Sequence, residues 1–163
     1  MDEHLDAMRA LWSTAQPEYQ GQFVDFAGIN AFPRLWSPGG LIVVLGGDGA
    51  PARGRAIRKA HGWYCFNTTI QCARDAMRTI RAELDQQERA TELGPLEVTM
   101  TAVGPFDVRI AQDYQALGVD RLVLLPGLDV AADRRHEPVA VDEILRTIDR
   151  LAEISQITAS SGS

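Results

Sequence analysis

Residues 41–63 read LIVVLGGDGAPARGRAIRKAHGW, and this stretch decides the fold of the chain. Residues 41–45 are all apolar, which predicts a strand buried on both faces, as in a parallel sheet. Residues 46–49, with the sequence GGDG, then allow the backbone to turn sharply and another molecule to approach the peptide groups closely. Pro51 follows, and proline is favoured at the first position of a helix.

Residues 52–60 predict an amphipathic helix, because Ala56, Ile57 and Ala60 recur at helical spacing with basic residues mostly on the other side. A strand, a glycine turn and a helix together direct free backbone N–H groups and a positive helix end at one point, which suits a phosphate. The turn lacks the ending of a Walker loop and is too short for the dinucleotide fingerprint. A turn in which glycine only bends the chain is therefore the alternative interpretation.

Composition and charge exclude several classes of protein. The chain has 163 residues and is 45% hydrophobic, which suits one compact domain. A net charge of −6, without a basic stripe, argues against nucleic acid as a partner. No apolar run predicts a membrane span, and no signal peptide is recognisable. The spacing of Cys65 and Cys72 and three scattered histidines predict no metal site, so we expect a cytoplasmic protein with buried, reduced thiols.

The order of predicted elements is a helix at residues 2–12, a long polar loop at 16–40, and then four units of strand followed by helix. The predicted strands are 41–45, 63–66, 96–103 and 121–125, and the predicted helices are 52–60, 70–89, 107–117 and 139–154. Such alternation predicts an α/β fold with a parallel sheet and right-handed crossovers. We expect one domain over residues 1–158 and a frayed tail at 159–163.

Each predicted strand ends in turn residues, which would lie at one edge of the sheet, where ligands bind in parallel α/β proteins. These turns are Gly46-Gly47, Asn67-Thr68, Gly104-Pro105 and Pro126-Gly127. The last two are alternative phosphate sites, but their prolines remove backbone donors. We therefore expect the first turn to be the phosphate site, with Gly47 leaving the space that a phosphate needs.

Several segments occur in an order that is typical of one enzyme family. They are MRALW at residues 8–12, Tyr19-x-Gly21-x-Phe23, Pro33, VVLGG at 43–47 and RAIRKAHGW at 55–63. This order resembles the luciferase-like flavin and deazaflavin oxidoreductases. The resemblance covers residues 5–66, and the later units fit by order and spacing, including GVDRLVLLP at 118–126, which is similar to the last strand of the family.

The resemblance implies a TIM barrel that uses FMN or coenzyme F420. It places residues 2–12 as the helix before the fifth barrel strand and residues 41–45 as that strand, so the chain would be the C-terminal half of a (β/α)8 barrel. A closed barrel of this type needs about 250 residues. We therefore expect a fragment, a split gene product or a degenerate relative.

The resemblance also implies a cofactor site. Backbone N–H groups of the glycine pair would contact the cofactor phosphate, and the residues that close the next strand would line the cofactor or substrate side. The implied residues are Gly46, Gly47, Asp48, Gly49, Asn67 and Thr68. His61 stands where the family usually has an acid before Gly-Trp, and no catalytic acid or base carries over, because those residues lie in the other half of the barrel.

Other chemically interesting residues have simpler interpretations. We interpret His61 as a helix-terminal residue, Cys65 as a core thiol and Trp63 as a packing residue. The run at residues 133–137, DRRHE, is either a solvated loop or, through Arg134, Arg135 and His136, a contact for an anionic ligand.

Two functions compete at this point. The first is an oxidoreductase or monooxygenase with FMN or F420 and a small-molecule substrate, inactive as a separate half-barrel. The second is a non-catalytic half-barrel that associates with itself or with a separate N-terminal half, because unpaired sheet edges invite association. A weaker third possibility is an open, flavodoxin-like sheet that binds a phosphorylated ligand unaided.

Overall fold

The computed structural model describes residues 1–13, 15–30, 32, 40–104, 106–125 and 140–160, without the side chains of Asn67 and of residues 155–160. These residues form two compact units, Met1–Val43 and Val44–Ser163. The run at residues 133–137, the turn at 126–127, Pro105 and the tail from 161 onwards lie outside the described residues.

The first unit contains the predicted helix and a small hairpin. Helix α1 spans Asp2–Ser13, which confirms the helix predicted for residues 2–12. The segment predicted to be irregular instead pairs two short antiparallel strands, β1 at Tyr19–Gln20 and β2 at Asp25–Phe26. The Glu3 carboxylate accepts hydrogen bonds from the N–H groups of Phe23 and Val24 at 2.6 and 2.8 Å. These bonds, the one from Phe23 foremost, lower the pKa of Glu3 and tie the hairpin loop to α1.

The second unit contains the four predicted units of strand and helix. Their bounds are β3 Val44–Gly46, α2 Ala50–Lys59, β4 Gly62–Thr68, α3 Ile70–Gln86, β5 Glu97–Ala102, α4 Val108–Ala116, β6 Arg121–Val123 and α5 Val141–Ser160. A 3-10 turn lies at Thr91–Leu93. The strands are parallel in the order β3-β4-β5-β6, so the prediction of a parallel sheet is confirmed.

Strand β3 differs from its prediction. It begins at Val44 rather than at residue 41, and Val44 is 40% exposed, so burial on both faces is wrong for this strand. The reason is position, because among the described strands β3 pairs only with β4 and forms one edge of the sheet.

Helices α2 to α5 follow one another around the sheet in chain order, since α2 contacts α3, α3 contacts α4 and α4 contacts α5. Consecutive parallel strands joined by right-handed crossovers have all their helices on the same face. A doubly wound sheet would show a reversal of strand order, and the four described strands show none. The arrangement is therefore consistent with part of a TIM barrel and disfavours the flavodoxin-like alternative.

The core lies between the sheet and these helices. Trp63 and Cys65 of β4 alternate toward the helices, as do Val98 and Met100 of β5, and all four side chains are buried. The helices contribute the buried side chains Ala56, Ile57, Ala73, Met77, Ile80 and Tyr114. The opposite side of the sheet, here called the second face, carries Tyr64, Phe66, Thr99, Thr101, Arg121 and Val123.

The ends of the helices follow their local sequence. Thr69 accepts a hydrogen bond from the N–H of Cys72 at 3.3 Å and begins α3, while Asp107 accepts one from Ile110 at 2.8 Å and begins α4. Gly118 has φ +77 and its N–H donates to the carbonyl of Gln115, so this glycine ends α4, in agreement with the helix predicted for residues 107–117.

Candidate functional site

The turn between β3 and α2, residues 46–49, needs glycine for reasons internal to the fold. Gly47 has φ +124, a conformation that other residues rarely adopt, and a Cβ there would lie 2.8 Å from the Cβ of Ala52. At Gly46 a Cβ would lie 3.6 Å from the nearest atom, the carbonyl oxygen of Tyr64, which is an ordinary contact. The glycine at position 47 therefore has two possible explanations. It was expected to leave space for a phosphate, but the turn itself also requires it.

The carbonyl groups of this turn are held by the protein. The indole Nε1–H of Trp63 donates to the carbonyl of Gly47 at 2.8 Å. The Nη1 of Arg53 donates to the carbonyl of Asp48. The carbonyl of Gly49 accepts from the backbone N–H of Arg53 at 3.1 Å, within the first turn of α2. Each of the three carbonyls thus has a donor from the protein.

The N–H groups of the same turn are available. In the part of the chain that the structure describes, the N–H groups of Asp48, Gly49 and Ala50 donate to no protein acceptor. Gly49 is the N-cap of α2 without a side-chain hydrogen bond, and the first turn holds no acidic residue. The positive end of the α2 dipole adds to these donors, so the arrangement fits an anionic group such as a phosphate.

An ion pair connects this turn to helix α3. The guanidinium of Arg53 donates to both carboxylate oxygens of Glu83, with its Nε at 3.0 Å and its Nη2 at 2.7 Å. The two side chains are 15% and 19% exposed. The hydrogen bonds to Glu83 raise the pKa of Arg53, so the guanidinium stays charged and fixed beside the turn.

Cys65 lies beneath the same turn and is 5% exposed, which confirms its interpretation as a core residue. Its Sγ lies 3.3 Å from the Oδ1 of Asp48 and donates a hydrogen bond to it. Burial first, and the Asp48 carboxylate second, raise the pKa of the Cys65 thiol to about 12, so it is a protonated donor and not a nucleophile. Cys72 is exposed, so the expectation of two buried thiols is wrong for that residue.

The predicted site residues at the end of β4 are placed differently. The register between β4 and β5 shifts after Cys65, so that one extra residue of β4 precedes the pair of Thr68 with Ala102. Ala102 lies two residues after the helix-facing Met100 and therefore on the same face of β5. Because the bulge pairs Thr68 with Ala102, Thr68 also lies on the helix side. Thr68 is 3% exposed and its hydroxyl donates to the carbonyl of Thr101 at 3.0 Å. The side chain of Thr68 is thus engaged within the core, and the side chain of Asn67 lies outside the described part.

Tyr64 and Phe66 are candidates that the sequence interpretation missed. Both lie on the second face, where their rings make an edge contact with centroids 6.3 Å apart. The hydroxyls of Tyr64 and Thr101 are hydrogen-bonded, and Phe66 is 51% exposed near the ligand-binding edge. The neighbouring Trp63 is 1% exposed, which confirms its interpretation as a packing residue. Alternation from the buried Trp63 and Cys65 was the available signal for this pair.

Among the described residues, no group of three or more His, Cys, Asp or Glu side chains could hold a metal ion. None of the described helices combines the length and the apolar character that crossing a membrane requires. A surface groove lined by Met77, Arg78, Arg81 and Leu117 lies along α3, away from the strand ends.

Comparison with known proteins adds to this geometry. A search of curated proteins found no significant match. The family model described as luciferase-like monooxygenase matches residues 1–118, which is more than half of the 163 residues and includes the stretch at residues 5–66 that carried the resemblance. The chain therefore belongs to the luciferase-like monooxygenase family.

Proposed function

We propose that this chain provides the cofactor-phosphate site and one wall of the pocket of an FMN- or F420-dependent oxidoreductase acting on a small molecule. The observation that carries the proposal is the set of N–H groups of Asp48, Gly49 and Ala50, which have no acceptor among the described residues while the carbonyls of Gly47, Asp48 and Gly49 are engaged. Both FMN and F420 carry a phosphate ester, and membership of the luciferase-like family supports a flavin-type cofactor.

The cofactor, when bound, supplies the hydride or oxygen chemistry, and the protein positions it. In the proposal, Gly46 to Ala50 bind and orient the phosphate. Phe66 and Tyr64 contribute an apolar wall at the same edge of the sheet. Asn67 remains a predicted contact, and no residue of this chain is proposed as a catalytic acid or base.

A second half-barrel is part of the proposal, either another copy of this chain or a separate N-terminal half. Among the described strands, β3 and β6 each have one neighbour, which leaves an edge on either side of the sheet. The large apolar side chains Val44, Phe66 and Leu125 are between 40% and 51% exposed. We expect the separate chain to self-associate and to show no reductase activity in sedimentation and cofactor-reduction assays. A soluble monomer that reduces FMN or F420 would contradict this part of the proposal.

The non-catalytic alternative is favoured by a different observation. Helix α5 exposes Val141, Leu145 and Ile148 along one side, by 70%, 53% and 46%, although its Leu151 is buried. An apolar stripe of this kind suits association whether or not a cofactor binds. A chain that associates but shows no phosphate-dependent cofactor binding would favour this alternative.

The decisive experiment compares FMN with riboflavin, which is the same ring system without the phosphate. Backbone amide resonances of the full chain are followed by NMR during titration with each compound, and F420 is compared likewise with its phosphate-free deazaflavin core. We expect FMN, and not riboflavin, to shift the amides of Asp48, Gly49 and Ala50. Equal shifts from both compounds, or FMN shifts at Gly104 instead, would reject the proposed phosphate site.

A further inference from the structure

We propose that Trp63 and Arg53 are positioning residues that hold the turn at residues 46–49 in its anion-accepting conformation. The inference rests on the proposed phosphate site and adds to it the residues that create it. Neither side chain is assigned a contact with the cofactor. Each acts on a backbone carbonyl whose orientation decides where the N–H group of the same peptide unit points.

The planarity of the peptide unit links each carbonyl of the turn to the N–H group that follows it. In a trans peptide the C=O of one residue and the N–H of the next point in opposite directions. A donor that holds the carbonyl of Gly47 therefore fixes the N–H of Asp48, and a donor that holds the carbonyl of Asp48 fixes the N–H of Gly49. The carbonyl of Gly49, bonded within α2, fixes the N–H of Ala50 in the same way.

Glycine makes such anchoring necessary. Gly47 and Gly49 lack the Cβ that restricts other residues, so the peptide units beside them can rotate at little cost. A rotated unit would present a carbonyl oxygen, with its partial negative charge, where the N–H now points. One rotation would thus replace a donor for the phosphate by a group that repels it.

Trp63 supplies the first anchor from a rigid position. It pairs with Leu45 in the parallel ladder of β3 and β4, and its ring is 1% exposed. Its Nε1 reaches the carbonyl of Gly47 at 2.8 Å, across 16 residues of sequence. Because the ladder and the core fix the indole, this donor cannot follow a rotating carbonyl, and the bond would be lost.

Arg53 supplies the second anchor. One guanidinium nitrogen donates to the carbonyl of Asp48, while two others are held by Glu83 of α3 in a bidentate pair. The positive charge of Arg53 is thus already matched by a carboxylate at 2.7 Å. This pairing suits a residue that holds the backbone rather than one that binds the phosphate directly.

The test uses one variant for each anchor and a matched control for each. Trp63→Phe keeps an aromatic ring but removes the N–H, and Trp12→Phe in α1 is its control. Arg53→Lys removes the fork, and Arg58→Lys is its control, because Arg58 also lies on α2 and its Nη1 bonds Gln87 of the α3 C-cap at 2.9 Å. Affinities for FMN and riboflavin are measured by fluorescence, folding by circular dichroism, and the carbonyl shifts of Gly47 and Asp48 by NMR.

We expect Trp63→Phe and Arg53→Lys to weaken FMN binding about three- to tenfold, as the loss of one hydrogen bond implies, with riboflavin binding unchanged. The Gly47 carbonyl shift should move in the first variant and the Asp48 carbonyl shift in the second. Both controls should stay within about twofold of the unmodified chain. Glu83→Gln, which loosens the ion pair while keeping the shape, should give a smaller loss and serves if Arg53→Lys unfolds.

The outcomes separate the two proposals. Folded variants that retain the FMN affinity of the unmodified chain would overturn the positioning role and leave the phosphate site in place. An unmodified chain without phosphate-dependent FMN binding would overturn the proposed function, and the carbonyl shifts would then decide whether the two side chains hold the turn. Unchanged carbonyl shifts in folded variants would remove Trp63 and Arg53 from the account of this turn altogether.

Discussion

Two turns at the same edge of the sheet lead from a strand into a helix, and they treat the helix N-terminus in opposite ways. Before α3, the hydroxyl of Thr69 accepts the N–H of Cys72, and the adjacent Thr68 is buried with its hydroxyl engaged. Before α2, Gly49 offers no side-chain cap, and the carbonyls are held by other residues. A turn that caps its own helix has few free backbone N–H groups for a ligand. An uncapped turn with anchored carbonyls keeps its N–H groups available to a ligand.

Among the variants of the two turns, Gly47→Val is expected to lower stability and FMN affinity the most. The substitution imposes a positive φ on a β-branched residue, at a cost of about 1–3 kcal/mol, and adds a contact with Ala52 that is too short. We expect lower stability in urea unfolding and an FMN or F420 affinity reduced at least tenfold, about 1.4 kcal/mol. Gly46→Ala is the control, because its Cβ has room, and it should remain close to the unmodified chain in stability. A Gly47→Val chain as stable as this control would show that the turn is not strained as described.

Gly49→Asp should convert the first turn into a copy of the second. Gly49 has φ −77 and ψ 153, which suit an N-cap residue, and a Cβ there would make only an ordinary contact with Pro51. The carboxylate would accept N–H groups of α2 and repel a phosphate, so we expect FMN affinity to fall at least about tenfold while stability rises by a few tenths of a kcal/mol. Gly49→Ala adds the same backbone restriction without the charge. Equal affinities of the two variants, measured by fluorescence titration, would exclude an anion at this N-terminus.

Each of the two turns has a cysteine beside it, since Cys65 contacts Asp48 and Cys72 lies in the first turn of α3. The pKa of Cys65 is raised from 9.0 to about 12, so the unfolded chain releases this proton at lower pH than the folded one. Stability is therefore unaffected below the lower pKa and falls between pH 9.0 and about 12, by up to about 1.4 kcal/mol per pH unit. Urea unfolding as a function of pH measures this slope, which should be shallower in Cys65→Ala.

In the native chain a maleimide should label Cys72 and spare Cys65, and rapid labelling of both would argue against the buried position of Cys65.

Thr69→Ala is expected to have the smallest effect on FMN affinity. Loss of the N-cap should lower the stability of the chain by about 1 kcal/mol, because the N–H of Cys72 loses its acceptor. We expect FMN affinity to remain unchanged, since the second turn does not bind the phosphate in the proposal. Asp107→Ala, which removes the N-cap of α4, provides a parallel case with a similar cost. Tighter FMN binding by Thr69→Ala would indicate that uncapped α3 competes with α2 for the phosphate.

Local features of the sequence were sufficient for the helices, the parallel strands and the glycine turn. Alternating periodicities predicted the four units of strand and helix. These signals depend on a residue and its near neighbours, so they can be read without knowledge of the fold. The order of motifs similarly indicated the family before any geometry was known.

Only the tertiary structure decided which residues at the strand ends are available. The bulge in β4 places Thr68 on the helix side of the sheet. Tyr64 and Phe66 lie on the second face because the helices cover the other face. Trp63 reaches the carbonyl of Gly47 across 16 residues of sequence, and the ion pair that holds Arg53 beside the turn joins it to Glu83 across 30 residues. Register shifts and contacts of this kind depend on how separate elements meet, and no periodicity within one element encodes them.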